Sequence, residues 1–299
     1  MKRMMLMTMC IVVLAGFGTT RAGLADYDAY WQFENNDNDS SANSYNLYCD
    51  NALTWSYKTG VVGKSRYFMK GEGSPNDTAY RDINQTQKIR DVGNQFTLAF
   101  WVVSGMEDGW GTGDVFNYFS PTNNSRSILA TAMGTSWNPE ANRKQAIQFY
   151  LYDDSQQNYD AGRVYFVKSS NWDDANTWYH IVWVVNLDGS GGGIDSTIYC
   201  TPYNASTVSV GDSKDLAITD IHNYSGPDGQ VELALGSSQD DFTQNEFYGR
   251  LDEMVFYNRA LSQSEVQQLF DIGKAGQPIP EPATAGLLSL GLGFLVRRK

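Results

Sequence analysis

The chain has little of what most enzymes and membrane proteins are built around. Of its 299 residues, two are histidine and three are cysteine, and charged residues make up 19%. Neither Gly-x-Ser-x-Gly nor His-Glu-x-x-His occurs, which removes the nucleophile-elbow hydrolases and the zinc metalloproteases. There is no EF-hand loop and no internal repeat. No apolar run reaches the ~20 residues that a membrane-spanning helix needs. Cations are sparse in the body of the chain, because Lys2, Arg3, Arg21, Arg297, Arg298 and Lys299 all lie in the two end segments. Without them the formal charge of −12 becomes more negative still. Such a surface repels nucleic-acid phosphates and anionic membranes, which disfavours DNA or RNA as a partner. It suits solubility outside the cell, divalent cations or a neutral partner.

What is present points to β structure. Aromatics make up 13%, with 28 glycines and 8 prolines. From residue 26 to about 274, short apolar runs alternate with Gly, Asn, Asp and Ser clusters. The run Gln95-Phe96-Thr97-Leu98-Ala99-Phe100-Trp101-Val102-Val103 has period two and reads as a half-buried strand. Further strands are expected at 146–152, 163–167, 178–185, 197–200, 231–235 and 251–257. One helix stands out. Ser262-Gln263-Ser264-Glu265 is a capping box, Val266, Leu269 and Phe270 form one apolar face, and Gly273 is placed to end it. Eight or more strands and a single helix predict a two-sheet antiparallel sandwich.

The two ends read as export and sorting segments. Lys2 and Arg3 precede an uncharged apolar stretch, 4–18, followed by small residues suited to cleavage. About 15 apolar residues are too few for a membrane anchor, and no lipobox cysteine follows. This predicts a signal peptide over 1–25. At the other end Pro278-Ile279-Pro280-Glu281-Pro282-Ala283-Thr284 leads into the uncharged stretch 285–296 and then Arg297-Arg298-Lys299. Prolines forbid a helix at the approach, and the terminal cations hold that end on the cytoplasmic side.

This tripartite tail, with Pro280, Glu281, Pro282, Ala283 and Thr284 as its motif, resembles the PEP-CTERM sorting signal of Gram-negative bacteria. The resemblance covers 278–299 and implies an exosortase as processing partner, a transient or processed membrane anchor, and export through the inner membrane to the cell surface or extracellular matrix. The body, 26–276, resembles laminin-G-like, concanavalin A-like jelly-roll domains. The resemblance is carried by Tyr30-Trp31-Gln32-Phe33 with Asp39-Ser40-Ser41, by 96–102, by Trp178-Tyr179-His180-Ile181-Val182, and by the run from Gly249 through Asp252-Glu253 to Leu261-Ser262. It implies two curved antiparallel sheets packed face to face.

Four candidate sites follow. Related domains hold a structural calcium between the N-terminal Asp-Ser segment and the Asp-Glu strand, which implies Asp39 with Asp252 here. The alternative is that Asp39 starts an Asx turn and Asp252 pairs with a cation. Trp110, Trp137 and Trp172 lie in polar, loop-like stretches and could stack on sugar rings, or pack beneath long loops. Cys10 falls within the signal, leaving Cys49 and Cys200 as a disulfide pair in an oxidising compartment, or as two buried thiols. Catalysis finds little support. His180 reads as a structural strand residue, and His222 lies in a loop with no nucleophile motif nearby. The Glu-x-Asp-x-x-Glu strand of jelly-roll glucanases is missing, and adjacent Asp252 and Glu253 are expected on opposite sides of a strand. The expectation is a non-enzymatic surface or matrix protein that binds polysaccharide or another protein. A carbohydrate-active enzyme and a purely structural matrix component are the alternatives.

Overall fold

The computed structural model describes residues 22–49, 57–68, 80–81, 92–104, 112–120, 125–133, 145–153, 155, 157–166, 177–187, 193–221, 232–236 and 247–281. The strands are β1 (Ala29–Trp31), β2 (Tyr48–Cys49), β3 (Tyr57–Thr59), β4 (Lys64–Phe68), β5 (Tyr80–Arg81), β6 (Gln95–Ser104), β7 (Thr112–Ser120) and β8 (Ser125–Met133). They continue with β9 (Gln145–Tyr152), β10 (Asn158–Phe166), β11 (Tyr179–Asn186), β12 (Ser196–Pro202), β13 (Val210–Lys214), β14 (Glu232–Leu235) and β15 (Gly249–Tyr257). A single α-helix among the described residues, α1 (Gln263–Lys274), follows.

These strands form the expected sandwich of two antiparallel sheets. One sheet runs β13-β12-β11-β6-β15-β4-β3, with β1 also paired to β15, and the other runs β10-β9-β8-β7-β14-β5-β2. The aromatic and β-branched residues at alternating positions explain the layering. Phe96, Leu98, Phe100 and Val102 of β6 enter the core between the sheets with Ile147, Phe149 and Leu151 of β9. The sheets close against one another where β10 packs on β12 and β13. There the Arg163 amide donates to Asp212 Oδ2 at 2.8 Å.

The half-buried reading of β6 is corrected, because only Gln95 of its ten residues is exposed. The other face of the strand, Ala99, Trp101 and Val103, belongs to a second apolar cluster with Val266, Leu269 and Phe270 of α1. Trp101 stacks on Phe270 with ring centroids 5.5 Å apart. The capping box forms as expected, with the Glu265 amide donating to Ser262 Oγ and the Ser262 amide donating to Glu265 Oε2 at 2.8 Å. Gly273 does not end the helix. It lies inside α1, where a Cβ would come within 2.4 Å of Trp101 Nε1. The chain turns two residues past the helix, at Gly276 with φ of 65°. It then runs back so that Ile279 is buried in the same cluster.

Candidate functional site

On the seven-stranded sheet, register places one polar side chain on each of four neighbouring strands. Asp114 of β7 faces Thr131 of β8, Thr131 faces Gln148 of β9, and Gln148 faces Arg163 of β10. Their neighbours in sequence, Val115, Ile147 and Val164, point into the core, so this row belongs to the outer face. The Asn117 side chain donates to Asp114 Oδ2 at 3.1 Å. Arg163 donates from its guanidinium to Gln148 Oε1. Burial decreases towards β10. Asn117 is inaccessible and Gln148 is 4% exposed, whereas Tyr150 and Arg163 are half-buried and Tyr165 is 38% exposed. Asn117 Oδ1 and Thr131 Oγ1 are buried with no hydrogen-bond partner among the described residues. Carboxylate, amide, hydroxyl and guanidinium groups in one plane are suited to a ligand rich in hydroxyls. Asp114 and Asp160 stand on β7 and β10, three strand spacings or about 14 Å apart.

A second polar group lies on the outer side of the eight-stranded sheet. The register of β15 against β6 shifts between Asp252 and Val255, a β-bulge, and Glu253 has φ of 50°. The extra residue turns Asp252 and Glu253 to the same side, correcting the expectation that they face apart. Asp252 Oδ2 accepts from the amides of Val61 and Val62 at 2.7 and 3.0 Å. These amides belong to the β3–β4 turn, Gly60-Val61-Val62-Gly63. A Cβ at Gly60 would meet Asp252 Oδ2 at 2.4 Å, and one at Gly63 would meet Glu34 Oε1 at 2.0 Å. The Tyr30 hydroxyl donates to Glu253 Oε2 and accepts from the Ile279 amide at 2.9 Å. Burial pushes the Glu253 carboxyl up to about 8, and burial together with Glu253 holds Asp252 well above the usual carboxylate range. Glu253 and His180 line one cavity, with room for about a single water, under α1. Burial pushes His180 down to about 3, so the imidazole is neutral. It lies on the face opposite Tyr179, 4.8 Å from the Trp101 ring.

The Asp39 carboxylate is spent on its own turn. Oδ1 accepts from the amides of Tyr30 and Ser41, both at 2.8 Å, and Oδ2 accepts from the Tyr45 amide and the Ser41 hydroxyl. This is the Asx-turn alternative. With two amides also on Asp252, Asp39 and Asp252 do not fit a shared calcium cage, which calls for six to eight oxygens. No group of three or more His, Cys, Asp or Glu side chains among the described residues is arranged to hold a metal.

The disulfide is corrected too. Cys200 is a free thiol on β12, its pKa pushed up to about 12 by burial. Cys49 lies on β2, the edge strand six spacings from β10, which packs on β12. That is ~29 Å of sheet, against a Cα separation of no more than about 7 Å in a disulfide. Trp110, Trp137, Trp172 and His222 lie outside the described residues, as do residues 1–21 of the expected signal peptide and Pro282, Ala283 and Thr284 of the sorting motif, whereas Leu24 and Ala25, at the end of that expected segment, are described and buried. Pro280 and Glu281 are described, directly after buried Ile279.

Residues 75–267, more than half of the chain, match the family described as the concanavalin A-like lectin/glucanases superfamily, laminin G type. The chain belongs to this superfamily. No curated protein matches the sequence. Among solved structures, this concanavalin A-like chain is similar to the binding domain of botulinum neurotoxin serotype G (TM-score 0.51, 13% identity, 82% of this chain and 51% of that one). It is also similar to the binding domain of Paraclostridial Mosquitocidal Protein 1 (0.52, 18%, 83% and 52%). A third similar structure is the ligand binding domain of botulinum neurotoxin serotype D in complex with N-acetylneuraminic acid (0.50, 9%, 87% and 56%). The chain spans about half the length of these toxin domains. At such identities the likeness is one of fold. No described helix is long and apolar enough to cross a membrane.

Proposed function

We propose that this concanavalin A-like chain is an exported surface or extracellular-matrix protein that binds carbohydrate through the outer face of its seven-stranded sheet. The observation that carries this is the accessible end of the polar rank, where Arg163 stands between Tyr150 and the exposed Tyr165, with Asp114, Thr131 and Gln148 buried behind it. The superfamily and the shared fold with toxin binding domains, one of them solved with a sugar acid bound, support binding as the activity. Export by a signal peptide, and sorting by an exosortase acting near Pro280-Glu281-Pro282-Ala283-Thr284, complete the reading. The test is glycan-array binding of the purified full chain, run in calcium and again in EDTA. Binding in both conditions is the expected outcome. A folded protein that retains no glycan in either condition overturns the reading in favour of a protein-binding or structural role.

A further inference from the structure

The accessible end of the polar face has an order of its own. On β9 the outward side chains run Tyr152, Tyr150, Gln148, and on β10 they run Asp160, Arg163, Tyr165. Register pairs Tyr150 with Asp160, Arg163 with Gln148, and Tyr165 with Ala146. A half-buried phenol therefore lies on one side of the guanidinium–amide pair, and a more exposed phenol lies on the other. Successive outward positions on a strand are about 6.8 Å apart, so aromatic, polar pair and aromatic follow one another over about 14 Å. Ala146, the small residue between β8 and Tyr165, leaves the face flat there. Tyr165 is one of very few large apolar side chains exposed among the described residues.

The charges around this ribbon decide what can lie on it. Arg163 is its central cation, and Lys214 is already paired with Asp160 at 3.6 Å. Asp212 accepts from the Arg163 amide, and Asp153 closes the β9–β10 turn, where it accepts from the Tyr159 hydroxyl at 3.0 Å. Three carboxylates thus stand against two cations, on a chain that is itself strongly acidic. A polyanion gains nothing from such a surface. Two phenol faces suit the C–H face of a sugar ring, and the guanidinium between them suits ring hydroxyls.

We propose that the β9–β10 ribbon is a subsite for an extended, uncharged polysaccharide that runs along the strands, stacks on Tyr150 and Tyr165, and is hydrogen-bonded between them by Arg163, whose guanidinium the buried Gln148 holds in place. This rests on the carbohydrate-binding reading and adds its site, its direction and its ligand class. The ligand is a neutral glycan chain. Uronate polymers are rejected by Asp153, Asp160 and Asp212.

The test is affinity electrophoresis of the full chain in gels containing laminarin, xylan or galactomannan as neutral probes, and alginate as the anionic one. Retardation by at least one neutral probe and none by alginate is expected. Tyr165→Ala and Arg163→Ala should each weaken that retardation about tenfold, Tyr165→Phe should preserve it, and circular dichroism should show all three folded. These positions are accessible, so the variants test binding and not folding. Retardation by alginate alone overturns the ligand class while leaving carbohydrate binding intact. Neutral binding that survives Tyr165→Ala and Arg163→Ala overturns the subsite and sends the ligand elsewhere on the molecule. No retardation by any probe overturns this inference and the carbohydrate reading together.

Discussion

On the eight-stranded sheet the outward side chains Trp101, His180 and Val255 lie beneath α1, whereas on the seven-stranded sheet the outward Tyr150, Arg163 and Tyr165 are left partly open. The first face is a second core. It buries aromatic rings against a helix, and even its polar members, His180 and Glu253, are neutralised by burial. The second face carries groups that hydrogen-bond in the plane of the sheet and is held by the shared interior. A sheet buried on both sides cannot slip in register without losing both sets of contacts. That rigidity belongs on the scaffold side, and it leaves the opposite sheet free to carry side chains that contribute little to stability.

Breaking the scaffold side should have the largest effect. Trp101→Ala empties the contact between β6, His180 and Phe270 and is expected to cost about 3–5 kcal/mol, read from urea unfolding. The buried acids come next. Glu253 is raised from an ordinary value of 4.5 to about 8 in the folded state. Its stabilising share is therefore full below pH ~4.5 and lost as pH rises through ~8, because only the unfolded chain gives up its proton readily in between. Urea midpoints should fall across that window, and Glu253→Gln should flatten the slope. A profile that rises from pH 5 to 8 in the wild type would sink the assignment. Ser262→Ala removes the cap of α1 and should cost about 1 kcal/mol. On the open face, Arg163→Ala should change stability by no more than about 0.5 kcal/mol, since only one guanidinium bond to Gln148 is lost in a half-buried setting. If Arg163→Ala proves as destabilising as Trp101→Ala, the contrast between the two faces fails.

Much of the scaffold side was legible beforehand. The aromatic, β-branched runs around Leu98 and Val182 read as strands because their alternation is uninterrupted, and Ser262 with Glu265 announced α1 by local chemistry. The outer face of the seven-stranded sheet was not. In β7 the pairing slips between Asp114 and Phe116 and again between Tyr118 and Phe119, so Val115, Phe116 and Tyr118 break the two-residue period. With Asp114 and Asn117 among them, the stretch looks like a turn. The Asp252–Glu253 bulge left no mark in composition, because one extra residue changes facing without changing residue type. The Gly60-x-x-Gly63 spacing is a usable signal for the turn that clasps Asp252 and Glu34. Cys49 and Cys200 show the limit of parity arguments, which count thiols but carry no distance.

The pairing of β1 with β15 bears on the order in which the molecule can be completed. Trp31 aligns with Met254, and the Tyr257 hydroxyl donates to the Leu24 carbonyl at 2.9 Å. Apart from its local bridge to Asp39, the first strand thus has no sheet partner until more than two hundred further residues have been delivered. Contacts so distant along the chain form slowly. The eight-stranded sheet therefore closes around β1 only after the strand before α1 is in place, while the local hairpins β7 to β10 can pair earlier.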